Sequence, residues 1–344
     1  MPAVGRGTER GAAGVGRVAE ADAAHDPDDG PVSSPTVVDV HEIPGTYPYH
    51  RLQRTSPASR WWRPLVVGLV GLGLYVGILV AGGVVMMVTA VTSGPGGLEA
   101  LERLDVTDLA EPLPFTLAML SIIAMLPAVL VATRLLGARP VGLLLSVAGR
   151  VRWGWAARCL AVAAALTVLV QGGAALLDTA LGVTWQPRVD ASSWLMIGLV
   201  LLLVPAQCVA EEVVFRGYLA QTIGTWLRHP AFAVVLPVPL FVLGHTYVGL
   251  AMVDTAVWAL TMGWLVWRTG GLEAAAAAHV VNNVVVFTLG AVDLADLDVV
   301  DIGPLALALS TASTLAYAGA VEVLLRRTGT ARVRVVAPVV SPVP

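Results

Sequence analysis

Residues 191–217 read ASSWLMIGLVLLLVPAQCVAEEVVFRG. The stretch from Ala191 to Ala210 carries no charge, about the length a helix needs to cross a bilayer. It then runs directly into Glu211, Glu212 and Arg216. Working outward, the same pattern recurs. Charge-free stretches cover 64–98, 112–133, 159–177, 230–253, 255–267, 274–292 and 302–321. Together these predict an all-α, polytopic integral membrane protein of about eight transmembrane helices, multi-pass in the cell membrane. The 255–267 stretch is short unless its helix starts near Tyr247 and carries Asp254 at its end. The apolar segment 141–148 is too short to cross.

Composition agrees. Of 344 residues, 56% are hydrophobic and 13% charged, and the formal net charge is −3. A general nucleic-acid binder would show a basic patch or stripe, so no nucleic-acid partner is expected; the bilayer itself is. Two cysteines, Cys159 and Cys208, make no disulfide scaffold. Arginines crowd alternate loops, whereas the loops between them hold Arg103 and Arg188 together with most of the acids that follow the first 50 residues. By the positive-inside rule this places both termini in the cytoplasm. The first 50 residues are acidic, rich in Gly, Ala and Pro, and contain no apolar run of leader length. The expected division is a disordered polar tail over 1–60, N-terminal spans over 61–189, a chemistry-bearing core over 190–292, and a last span with C-terminal tail over 293–344.

An ionisable side chain inside a bilayer is costly enough to suggest a function. Three clusters qualify. In the first, Glu212 and Arg216 stand four apart and share a helix face, so they can pair. Glu211 is rotated away, with Phe215 at its i+4 position, and is left free to act as a general base. The same cluster would also serve as a plain inner cap of its span. The second is His245, four residues after Phe241 and preceded by Pro237 and Pro239. Two prolines so close distort a helix, and broken backbone at membrane depth belongs in protein or against a wet cavity. The third is His279 with Asn283, again four apart, after five alanines that let neighbouring helices approach. Taken alone, that pair is better accounted for by an interhelical hydrogen bond from Asn283 with His279 as its partner.

Taken together, Glu211, His245, His279 and Asn283 on separate helices are the groups needed to activate a water and hold an oxyanion. Glu211, His245 and His279 are also a ligand set for catalytic Zn²⁺ with an open fourth position.

These motifs resemble the CPBP intramembrane protease family, which comprises the type II CAAX prenyl endopeptidases and bacterial bacteriocin-processing or immunity relatives. The family pattern is EExxxR, FxxxH and HxxxN on successive helices. Here it falls on Glu211, Glu212 and Arg216, on Phe241 and His245, and on His279 and Asn283. The resemblance covers about residues 190–290. It implies hydrolysis of a peptide bond in a membrane-associated peptide or protein, a prenylated CAAX-type or bacteriocin-like substrate among them. Glu211 would activate the water with help from His245, His279 and Asn283 would hold the oxyanion, and Glu212 with Arg216 would fix the helix geometry. Both a metalloprotease and a metal-free glutamate mechanism are compatible with it.

One depth mismatch follows. Counted from Ala231, His245 lies about 21 Å into its span, deeper than Glu211 and His279. A re-entrant segment broken at the prolines would reconcile them. A proton-coupled transporter and a non-catalytic immunity-type scaffold are the competing functions. The transporter would show paired repeats with matching broken helices, and none is visible.

Overall fold

A computed structural model describes residues 42–338. The chain is helical throughout apart from one small antiparallel pair, β1 (Gly45–Pro48) with β2 (Val333–Val336). The helices are α1 (Arg63–Thr92), α2 (Pro95–Glu102), α3 (Pro112–Ile123), α4 (Met125–Leu136), α5 (Trp153–Ala180) and α6 (Ala191–Glu211). After α6 come a π-helix (Glu212–Leu219), α7 (Ala220–Trp226), α8 (Pro230–Val235) and α9 (Val238–Leu243). The chain ends with α10 (Gly249–Thr269), α11 (Glu273–Gly290) and α12 (Pro304–Thr328). The protein is an all-α, multi-pass membrane protein.

Among the described residues, seven helical stretches are long and apolar enough to cross a membrane. They are α1, α3 run on into α4, α5, the continuous Ala191–Trp226, α10, α11 and α12. Their outer faces carry Leu69, Leu72, Val85, Val168 and Leu202 largely exposed, a distribution that suits lipid contact and not water. The remaining expected span, 230–248, is broken, as its prolines predict. Pro237 and Pro239 divide that stretch into α8 and α9, each six residues long.

The segment is nevertheless not re-entrant. At its start, the residue before α8, His229, neighbours Arg228, whose carbonyl meets His50. At its end, the Val248 amide donates to the Val300 carbonyl at 2.9 Å, in the loop between α11 and α12. That loop lies at the end of the bundle where Arg188 meets Val292. The two ends of 230–248 therefore lie on opposite sides. The chain crosses on a broken helix, and this resolves the depth mismatch without a re-entrant loop.

The side that the arginines mark as inner is tied by ion pairs. Arg152, at the start of α5, grips Glu273 at the start of α11 through Nη2 to Oε2 at 2.6 Å and Nε to Oε1 at 2.9 Å. The same guanidinium donates to the carbonyls of Thr269 and Ala331. Residues 42–60, expected as part of a loose tail, are instead folded onto this side. β1 pairs with β2, Arg334 binds Glu42, and a 3-10 helix, Tyr49–Thr55, buries Tyr49, His50 and Leu52. The rest of the expected tail, 1–41, lies outside the described residues. The apolar segment 141–148 contributes a buried 3-10 turn whose Leu144 carbonyl accepts from the Tyr49 hydroxyl.

On the opposite side, Asp301 caps α10. Its Oδ1 accepts from the amides of Leu250 at 2.7 Å, Ala251 at 3.2 Å and Ile302 at 2.8 Å. Gly249 makes this approach achievable, since a Cβ there would fall 2.1 Å from Asp301 Oδ2. The Ile302 amide, then that of Ala251, holds the Asp301 carboxyl below the ordinary carboxylate range. A lowered carboxylate contributes stability that is present above its unfolded pKa and lost as pH falls through the folded value. Asp301→Ala is expected to speed amide hydrogen exchange at Leu250 and Ala251 at neutral pH, with little change at α12. Unchanged protection at both amides would show that the cap does not hold the helix start. Farther along α10, Asp254 lies a turn and more inside the helix, not at its end as expected, and accepts from the Ser310 hydroxyl of α12 at 2.9 Å.

Candidate active site

The site begins where α6 stops being an α-helix. Pro205 removes a backbone donor within α6. Seven residues later the chain widens into the π-helix, a form frequent at functional positions. Glu211 is the last α-helical residue and Glu212 the first of the wide turn. Both are buried, Glu212 completely.

Glu212 is the hub. Its Oε1 accepts from Arg216 Nη1 at 3.1 Å, the pairing expected from their spacing. The same oxygen accepts from His279 Nδ1, on α11, at 3.0 Å. A carboxylate can only accept, so Nδ1 carries the proton and Nε2 is the free face of the ring. That face points at Glu211, with Nε2 3.4 Å from Oε2. Glu211 is therefore not left without a neighbour, as its helical position alone suggests. Its partner comes from α11. Glu211 Oε2, Glu212 Oε2 and Arg216 Nη2 are all buried and have no hydrogen-bond partner among the described residues. Buried polar groups are normally satisfied, so this cluster has capacity to bind something polar.

Aromatic rings complete the enclosure. Arg216 Cζ lies 4.0 Å from the centre of the Phe241 ring and 5.1 Å from that of Trp258. Phe241 and Trp258 stack at 5.8 Å, and Trp258 meets His279 edge-on at 4.8 Å. Stacking of a guanidinium on aromatic faces is favourable and offsets part of the cost of burying it. Phe241 thus supports Arg216 from the side away from Glu212. Sequence reasoning missed Trp258, because an aromatic on an apolar helix gives no signal by itself.

The amide end is more open. Asn283 Nδ2 donates to Gln207 Oε1 at 3.5 Å, and Asn282 Nδ2 donates to Asn283 Oδ1 at 3.1 Å. Cys208 is fully buried and its thiol also meets Gln207 Oε1, at 3.3 Å. Gln207 was also missed, yet it was readable as the one amide in the charge-free run 191–210.

His245 stands apart. It follows α9, and its Nδ1 donates to the carbonyl of Phe241 at 2.8 Å. Its ring lies 4.8 Å from Phe241 and stacks on Tyr247 at 5.6 Å. Among the described residues no hydrogen bond joins it to Glu211, His279 or Asn283. The structure therefore brings Glu211, Glu212, Arg216, Phe241 and His279 together and links Asn283 to α6. It places His245 one aromatic ring away, with Nε2 free.

A zinc ion would require Glu211, His245 and His279 to converge at about 2.0–2.2 Å from one point. Among the described residues no three His, Cys, Asp or Glu groups are placed to hold a metal ion. As placed, Glu211, His245 and His279 do not converge on one point, and no chemical step is derived through an ion.

Comparison with known proteins converges on the same segment. Residues 192–285 match the family model described as Rce1-like, type II CAAX prenyl endopeptidase Rce1-like. All three motifs lie within that stretch, which supports the CPBP resemblance. A Bacillus subtilis (strain 168) protein described as "Uncharacterized protein YyaK" is 38% identical over 99 residues. The aligned part is 26% of this chain and 32% of that protein, so the chain spans about a third of its relative's length. No solved structure matches.

Proposed function

We propose, from the Rce1-like match over 192–285, that this chain is a membrane-embedded endopeptidase. It cleaves a peptide bond in a membrane-associated substrate, with a prenylated CAAX-type C-terminus as the first candidate and a bacteriocin-like peptide as the second. The observation that carries the reading is the buried chain Arg216–Glu212–His279–Glu211, which ends on a carboxylate oxygen with no hydrogen-bond partner.

In this reading Glu211 accepts a proton from a water that attacks the scissile carbonyl. His245 Nε2, free of other bonds, helps to orient that water. With substrate bound, a proton from solvent occupies Nε2 of His279; Glu212, accepting from Nδ1, balances that charge, and Nε2–H donates to the developing oxyanion. Asn283 Nδ2 supplies a second donor. The tetrahedral intermediate then collapses. The C–N bond breaks, Glu211 returns the proton to the leaving amine, and a carboxylate and an amine are released. Arg216, held by Glu212 and by Phe241, keeps the two carboxylates from repelling one another.

The experiment is cleavage of synthetic peptides by the purified protein, with prenylated CAAX and unprenylated controls in parallel. Cleavage of the prenylated peptide that survives chelation is the expected result, since the described side chains gather no ligand triad. Loss of turnover on chelation, restored by zinc, would assign an ion to Glu211, His245 and His279 instead. Cleavage that persists in both Glu211→Ala and His245→Ala would refute the assignment of the site.

A further inference from the structure

Away from the catalytic cluster, a groove of about 450 Å³ opens between α10 and α12, within the roughly 300–1,000 Å³ typical of ligand pockets. Leu260 and Trp264 of α10 line it on one side, and Leu315, Ala318 and Gly319 of α12 on the other. The groove is open to the bilayer, with Leu315 56% exposed. Gly319 makes the depression. A Cβ built there meets nothing within 4 Å, so the space is one that a larger side chain would fill.

Glu322 is the one charged residue lining the groove. Its Oε1 accepts from Arg268 Nη2 of α10 at 2.7 Å and from Arg326 Nε of α12 at 2.8 Å. One carboxylate thus serves two guanidiniums and leaves one positive charge uncompensated. Among the described residues no acceptor meets Nη1 of Arg268 or either Nη of Arg326. The Arg326 side chain is 74% exposed, so its fork stands open, and such a fork matches a phosphate through paired N–H donors. This is the inner end of the groove. Arg152 binds the carbonyls of Thr269, the last residue of α10, and of Ala331, just past α12. Trp264 lies one turn before Arg268, the place of an interfacial aromatic. An apolar channel therefore leads about 10 Å along α12, from Leu315 to Glu322, into a cationic group at headgroup depth.

We infer that this groove is a binding site for one anionic glycerophospholipid of the inner leaflet. An acyl chain lies over Gly319 and beside Trp264, and the phosphate accepts from the open guanidinium donors of Arg326 and Arg268. Charge selects the headgroup. A lipid of single negative charge neutralises the cluster, whereas a zwitterionic lipid brings a second cation to it. The lipid joins α12 to α10, the helix that carries Trp258 of the candidate active site. The site does not rest on the protease reading.

Native mass spectrometry of the delipidated, detergent-solubilised protein tests it, with phosphatidylglycerol and phosphatidylcholine of identical chains offered separately. The wild type is expected to retain one phosphatidylglycerol per chain, about fivefold more strongly than phosphatidylcholine, the scale of one arginine at a lipid phosphate. Arg326→Gln is expected to bring phosphatidylglycerol down to the phosphatidylcholine level. Gly319→Leu, which fills the groove from an unobstructed position, is expected to lose both lipids at unchanged melting temperature. Equal retention of the two lipids by the wild type would overturn the inference. So would phosphatidylglycerol retention by both variants equal to that of the wild type. Should Gly319→Leu melt early, the exposed Arg326→Gln decides alone. A prenylated peptide bound by the wild type but not by Gly319→Leu, with no phosphatidylglycerol retained, would assign the groove to a substrate's chain instead and overturn the lipid site.

Discussion

Glu211→Gln is expected to leave a folded protein whose turnover falls by about 10²–10⁴-fold, the usual contribution of a general base. The substitution preserves volume and removes only the ability to take a proton. The glutamine amide can donate to the free Nε2 of His279, which lies 3.4 Å from the present carboxylate oxygen. Local packing therefore has no reason to fail. Melting temperature should stay within a few degrees of the wild type while kcat collapses. A transporter or scaffold that uses this cluster only for structure would show neither loss. Retained cleavage in a well-folded Glu211→Gln protein would remove Glu211 from the chemistry.

Glu212→Ala is expected to damage stability as well as rate. Glu212 is fully buried and Arg216 nearly so, with side-chain exposures of 0% and 5%. Removing one partner leaves a buried, uncompensated cation, a change that costs about 3–5 kcal/mol. His279 also loses the acceptor that fixes Nδ1 as the protonated nitrogen. Melting should fall by on the order of ten degrees, with activity lost. A double variant, Glu212→Gln with Arg216→Met, takes away both charges. Such replacements are often close to neutral for stability. The double variant should therefore regain most of the melting temperature and none of the turnover, because His279 still lacks its carboxylate. If Glu212→Ala melts with the wild type, the buried pair is not the hub described.

Much of this was legible in the sequence, and the residues show why. Charge-free runs mark spans because lipid excludes unpaired charge, so α1, α5, α6 and α11 were readable in advance. That α10 takes in Asp254 was readable from the length argument, but its depth in the helix was not. The i, i+4 spacing brought Glu212 to Arg216, since that pairing is local. The contacts of Glu211 were not readable, because its neighbour comes from α11, 68 positions away in sequence. Phe241 carried a motif position but no visible reason for it. The reason is a guanidinium lying over its ring, which only the tertiary arrangement shows. The break in 230–248 followed from two prolines, but its course did not. Whether a broken segment turns back or goes through depends on its partners, here the Val300 carbonyl. Order in residues 42–60 was invisible for a related reason. Its composition is that of a loose segment, and its strand exists only through pairing with β2.

That pairing bears on how the molecule is made. β1 precedes the helices and β2 follows them, so β1 waits for its partner until all the described helices have been synthesised. Tyr49 and His50 follow β1 directly. The β1–β2 pair therefore closes only after the described membrane segments have been made. A nascent chain that has not reached β2 holds its acids and imidazoles without this pairing beneath them.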